Sequence, residues 1–117
     1  MHRSGTSCLT GTLQECGVEL GSVHVKNPFN LRGNREHPLV MQLNDDVLQM
    51  NGGRWDQPTL ATLWNAELTQ RRTKVIEAIR GSEERAHWGF KDPRTLFTLP
   101  FWEGELPSDT AFIATFR

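Results

Sequence analysis

The chain has 117 residues, with 13 Lys plus Arg against 14 Asp plus Glu and a formal net charge of −1. A balance this close to neutral supplies no field for bulk nucleic acid or an anionic membrane surface, so neither is an expected partner. With 37% hydrophobic residues and 10 glycines, the composition is that of a globular domain and excludes a disordered chain, a collagen or a coiled coil.

Met1-His2-Arg3-Ser4-Gly5-Thr6-Ser7 is loop chemistry. Cys8, Leu9, Leu13 and Cys16 then recur at helical spacing until Gly17 supplies a stop. Along that helix the two cysteines lie roughly 12 Å apart at ~1.5 Å per residue, too far for a disulfide. Unpaired cysteines suit a reducing compartment. Without a membrane-length apolar run or a signal core, a cytoplasmic location is expected. Residues 21–38 read as an irregular excursion, with a short strand at Ser22 to Val25.

Pro38 suits the first turn of a helix that places Val40, Leu43, Val47 and Leu48 on one side, and Asn51-Gly52-Gly53 ends it. A second helix is expected after Asp56, where Leu60, Leu63, Trp64 and Leu68 repeat, continuing through Val75, Ile76 and Ile79 to Gly81. His87 to Phe90 reads as a buried strand. After it, Asp92 is a candidate N-cap and Pro93 the first position of a helix that Pro100 should kink or shorten. The apolar, β-prone run Ala111 to Phe116 suits a strand covered on both faces, ending at Arg117. The four tryptophans, 55, 64, 88 and 102, are expected in packing roles.

Strands alternating with helices predict an α/β fold, a three-layer sandwich about a parallel sheet with right-handed crossovers. Ligands of such sheets sit at the carboxyl ends of strands, where the opening loop, Lys91 to Arg94 and Arg117 would meet. An incomplete sheet would leave an exposed edge, and self-association through it is expected.

The opening loop carries the first chemical signal. A P-loop aims several backbone N–H groups at one anion, and the following helix adds its positive end. Gly5-Thr6-Ser7 fills the second Gly and the hydroxyl of that pattern, but Thr6 stands where Lys should be, and the cation has moved to Arg3. This argues against metal-assisted triphosphate chemistry. No histidine spacing suggests a metal site.

His2-Arg3-Ser4-Gly5-Thr6-Ser7 resembles the 5′-phosphosulfate loop of the sulfotransferases that use 3′-phosphoadenosine 5′-phosphosulfate. Three further segments are similar to the bacterial-type branch of that family: Asn27-Pro28-Phe29-Asn30 with Gly33-Asn34-Arg35-Glu36-His37-Pro38, then Trp88-Gly89-Phe90-Lys91-Asp92-Pro93-Arg94, then Phe112 to Arg117. The resemblance implies that residues 1–117 are the N-terminal part of a single sulfotransferase domain cut at both ends, with an incomplete P-loop nucleotide-binding type of fold. The reaction it implies is transfer of a sulfuryl group from that co-substrate, without a metal, to a hydroxyl or amine of a small-molecule, glycan or peptide acceptor. The alternative is an inactive fragment or non-catalytic interaction domain of the same fold.

The same resemblance implies the site residues. Arg3 would clamp the moving group, and Ser4, Gly5, Thr6 and Ser7 would hold the 5′-phosphate, although Ser-Gly-Thr-Ser would also serve as a plain helix cap. Glu36 would take the acceptor's proton; its alternative is a surface carboxylate near the start of a helix. His24 and His37 are rival bases. Lys91 would stabilise charge on the bridging oxygen; its alternative is an ion pair with Asp92 or a place in a helix-starting loop. Arg117 would bind the 3′-phosphate. Arg94 reads as structural, bonded to Asp92.

Overall fold

The computed structural model describes residues 5–23, 33–81 and 87–116. Among these residues there are four helices and no sheet: α1 (Thr6–Glu15), α2 (Pro38–Met50), α3 (Ala66–Arg80) and α4 (Thr95–Glu103). The predicted α/β P-loop sandwich is therefore wrong. β-type pairing is confined to two isolated bridges, a parallel one between Glu19 and Trp88 and an antiparallel one between Arg54 and Gln57.

Each missing strand has a local reason. Among the described residues, 87–90 pair with Glu19 alone, through Glu19 N–H donating to His87 O at 3.0 Å and Gly89 N–H donating to Glu19 O at 2.9 Å. The run 111–116 is non-helical and meets no second strand among the described residues, and its apolar side chains are exposed, Phe116 by 90%. The high β-propensity of that run reflects packing on a pleated neighbour more than the backbone alone, and here no neighbour is supplied. Without a sheet among the described residues, the edge expected to support self-association does not form. The predicted strand at Ser22 to Val25 is not one at Ser22 and Val23, and His24 and Val25 lie outside the described residues.

The helices follow their sequence signals more closely. α1 ends in a Schellman arrangement around Gly17 (φ 99°), with Gly17 N–H donating to Gln14 O and Val18 N–H to Leu13 O. Both cysteines are exposed and unbridged, as their spacing requires. α2 starts on Pro38 with His37 as its cap, and Asn51 closes it.

The core gathers Val40, Leu43 and Val47 of α2, Val75, Ile76 and Ile79 of α3, and Phe101 and Trp102 of α4. Pro100 lies inside α4 and does not end it. Trp102 is fully buried and Trp64 stacks edge-on against Phe101 at 5.6 Å, whereas Trp55 is 55% exposed.

α3 begins at Ala66 and not directly after Asp56, where the leucine spacing suggests. The cause is the Asn51 side chain. Its Nδ2 donates to Val47 O and Leu63 O, both at 2.8 Å, and its Oδ1 accepts from Thr62 N–H and Leu63 N–H, both at 2.9 Å. One amide thus satisfies four backbone groups and holds the incoming segment extended against the end of α2. Ala61 N–H then donates to Phe97 O at 2.8 Å, and Asn65 caps α3 by accepting from Leu68 N–H. Asn51→Ala is expected to cost about 1 kcal/mol, the net worth of a hydrogen-bonding group whose partners at Thr62 and Leu63 are exposed and can turn to water. Amide hydrogen exchange should show faster exchange at Thr62 and Leu63 and leave the interior of α3 protected.

A charged bridge ties α3 to the chain after α4. Arg72 Nε donates to Glu105 Oε2 at 2.8 Å, an Arg72 Nη1–H donates to Phe101 O, and Thr73 Oγ1 donates to Glu105 Oε1 at 2.6 Å. For Glu105, loss of solvent is the largest single influence and pushes its pKa up. The bonds from Thr73 and Arg72, with the Arg72 charge, outweigh it and hold the carboxyl below its ordinary 4.5. A depressed carboxyl pKa contributes stability that is complete above the unfolded value and is lost as pH falls through the folded one. Urea midpoints measured across acid pH should therefore decline below 4.5, and Glu105→Gln should flatten that decline.

Candidate functional site

Three separate pieces of chain meet at Asn34 and Glu36. The first is the start of α1, where Gly5, with φ 86°, takes the left-handed conformation that favours glycine. Gly5 O accepts the N–H groups of Cys8 and Leu9, while those of Thr6 and Ser7 have no acceptor among the described residues. A helix start with unsatisfied N–H groups attracts anions. The second piece is 33–37 and the third is the turn 91–94.

Arg35 is the one described non-glycine residue with positive φ, at 54°. That conformation costs of order 1 kcal/mol or more and tends to persist at sites that need it. Neighbouring side chains diverge here. Arg35 Nε donates to Gln14 Oε1 of α1 at 3.1 Å, with its guanidinium against Gly11, while Glu36 turns to Lys91. Lys91 Nζ donates to Glu36 Oε1 at 2.7 Å, and the two side chains are only 12% and 10% exposed. Glu36 is buried, not exposed, and Lys91 pairs with it and not with Asp92.

The turn that presents Lys91 is held from behind. Asp92 Oδ1 accepts Arg94 N–H at 2.8 Å, and Asp92 Oδ2 accepts from Arg94 Nη1 at 2.7 Å. Arg94 Nε also lies 2.9 Å from Asp45 Oδ1 of α2, an ion-pair contact outside hydrogen-bond alignment. Arg94 is thus structural, as expected, and Asp92 orders the turn although α4 itself starts at Thr95. Burial raises the Asp92 pKa above its ordinary 3.8; the bonds and charge of Arg94 oppose this, and the nearby Glu36 charge adds to it. The sign is opposite to that of Glu105. The folded chain takes up this proton first, so this group alone makes the fold more stable as pH falls from the raised value towards 3.8. In Asp92→Asn, urea midpoints should lose that rise on mild acidification.

The structure brings together Glu36, Lys91 and the Gly5-Thr6-Ser7 start of α1. Ser7 takes a different part from that expected, its Oγ donating to Asn34 O at 3.3 Å. Arg3, Ser4 and Arg117 lie outside the described residues, as does His24. His37 is buried and uses Nδ1 to accept Leu39 N–H at 3.3 Å, so as the α2 cap it holds no proton on that nitrogen. Asn34 was given no role by the sequence. The available signal was its place two residues before Glu36, the spacing of an Asx turn, and Asn34 Oδ1 does accept Glu36 N–H at 3.2 Å. Among the described residues no cluster of His, Cys, Asp and Glu suits a metal ion. A cleft of about 550 Å³, lined by Glu19, Ser22, His37 and Leu39 among others, includes none of Gly5, Thr6, Ser7, Glu36 or Lys91 in its wall.

Compared with family profiles, curated proteins and solved structures, the chain matches none. No described helix is long and apolar enough to cross a membrane.

Proposed function

We propose that the chain transfers a sulfuryl group from 3′-phosphoadenosine 5′-phosphosulfate to a hydroxyl or amine acceptor. The observation that supports this reading is the largely buried Glu36–Lys91 pair, 2.7 Å long, joined through Asn34 to the first turn of α1. A proton acceptor, a cation and an anion-attracting helix start then share one small region. In the transfer, the acceptor oxygen or nitrogen bonds to sulfur while its proton passes to the Glu36 carboxylate. The bond from sulfur to the bridging oxygen breaks, and its electron pair leaves with the 5′-phosphate, whose new charge Lys91 offsets.

Before the donor arrives, Glu36 and Lys91 neutralise one another. The donor's sulfonate competes for the ammonium, which frees the carboxylate to accept a proton. The Thr6 and Ser7 N–H groups receive the 5′-phosphate. By resemblance, Arg3 and Ser4 extend the grip on that end of the donor and Arg117 the grip on its 3′-phosphate.

A second reading, a non-catalytic interaction module, is favoured by the exposed Leu60, Leu63, Leu96, Phe112, Ile113 and Phe116. Thermal denaturation separates the two. At a hundredfold excess over its Kd, adenosine 3′,5′-bisphosphate should add about 2.7 kcal/mol and raise the melting temperature by several degrees, whereas ATP with Mg²⁺ should not. No shift with the bisphosphate supports the interaction module.

A further inference from the structure

Four hydrogen bonds converge on Asn34. Its Nδ2 donates to Glu36 Oε2 at 3.1 Å, and its Oδ1 accepts Glu36 N–H at 3.2 Å. Its main-chain oxygen accepts from Ser7 Oγ and from Lys91 Nζ, each at 3.3 Å. The two Glu36 oxygens are therefore held separately, Oε1 by Lys91 and Oε2 by the Asn34 amide. A carboxylate has about four lone-pair sites and an ammonium three donors. Two lone-pair sites on Glu36 and one N–H of Lys91 thus remain without a partner among the described residues. An unheld carboxylate rotates about its last bond, and Lys91 would then follow it or lose it.

We infer that Asn34 is the positioning residue of this site. It sets the plane of the Glu36 carboxylate, and through its own carbonyl it registers the Lys91 ammonium and the first turn of α1 to that plane. The consequence for catalysis rests on the sulfuryl-transfer reading, because a displacement of about 1 Å in a reacting group can cost about a hundredfold in rate. The positioning itself is testable in the free protein.

The test uses the full chain labelled with ¹⁵N, and its readout is hydrogen exchange of the Lys91 ammonium, which is slow only while its acceptors hold it. Asn34→Ala should leave the helical content unchanged by circular dichroism and speed Lys91 ammonium exchange at least tenfold. Asn34→Asp keeps the shape and the acceptor but sets two carboxyls against each other. Such a pair retains one proton well above the ordinary carboxylate range. Relative to the wild type at the same pH, its exchange should be fast at pH ~7 and return towards the wild-type rate as the shared proton restores a donor to Oε2. A merely structural role for Asn34 predicts no such recovery.

Exchange within twofold of the wild type in both variants would overturn the inference. If Asn34→Ala does not fold, the pH dependence of Asn34→Asp decides, recovery supporting the inference and a constant ratio overturning it. Adenosine 3′,5′-bisphosphate is then added to the wild-type chain. Absence of binding would remove the sulfuryl-transfer reading and leave the exchange result on Asn34 to stand or fall alone.

Discussion

Asn44→Leu is expected to lower the unfolding free energy by about 3 kcal/mol, because two buried donors lose their acceptor at once. Asn44 lies fully buried on α2. Its Oδ1 accepts from Thr98 Oγ1 at 2.7 Å and from Trp102 Nε1 at 2.8 Å, and its Nδ2 donates to Thr95 Oγ1 at 3.2 Å. One side chain thus matches the polar atoms of three successive turns of α4. Leucine would fill much of the space and match none of them. Urea unfolding should show the loss, and the near-ultraviolet signal of Trp102 should change. Adding Thr98→Val to Asn44→Leu should recover a small part of it, since a hydroxyl left with only Arg94 O, at 3.4 Å, is then removed.

Lys91→Met is expected to cost about 3 kcal/mol and to abolish binding of adenosine 3′,5′-bisphosphate. Methionine keeps much of the length and apolar stem of lysine, so the cost comes from leaving the Glu36 carboxylate, 10% exposed, without its cation. Combining Lys91→Met with Glu36→Leu should restore most of the stability, because a buried pair replaced by apolar groups is often neutral. Binding of the bisphosphate should stay lost in that combination. Urea unfolding and calorimetry on the same samples separate the two effects. Recovery of binding along with stability would show that Lys91 only supports the fold.

The parts of the fold legible in the sequence are those governed by neighbours along the chain. Gly17 ends α1, Pro38 opens α2 and Asn51 closes it, each by local backbone geometry. The leucine spacing from Leu60 misled because periodicity cannot see the Asn51 side chain reaching back to Thr62 and Leu63. Ala111 to Phe116 misled for a related reason: strand formation needs a second strand, and apolar β-branched and aromatic residues announce only readiness for one.

The candidate site shows the same division. Glu36 and Lys91 were named from the motifs that contain them, but their 2.7 Å contact joins positions 55 residues apart, and no spacing rule encodes it. The Asx-turn spacing of Asn34 and Glu36 is local, but the bonds that tie Asn34 to Ser7 and Lys91 run through its main-chain oxygen, whose position residue type does not specify. The place of Ser7 in the loop says nothing of its hydroxyl bonding the carbonyl of Asn34, 27 residues away.

The most direct measurement is a residue-resolved titration of ¹⁵N-labelled protein with adenosine 3′,5′-bisphosphate, following backbone amides and the Lys91 ammonium. Saturable shifts at Thr6, Ser7, Asn34 and Lys91 that share one dissociation constant are predicted. Shifts confined to the His37 cleft, or none at any ratio of ligand to protein, would contradict a donor site built on Glu36 and Lys91.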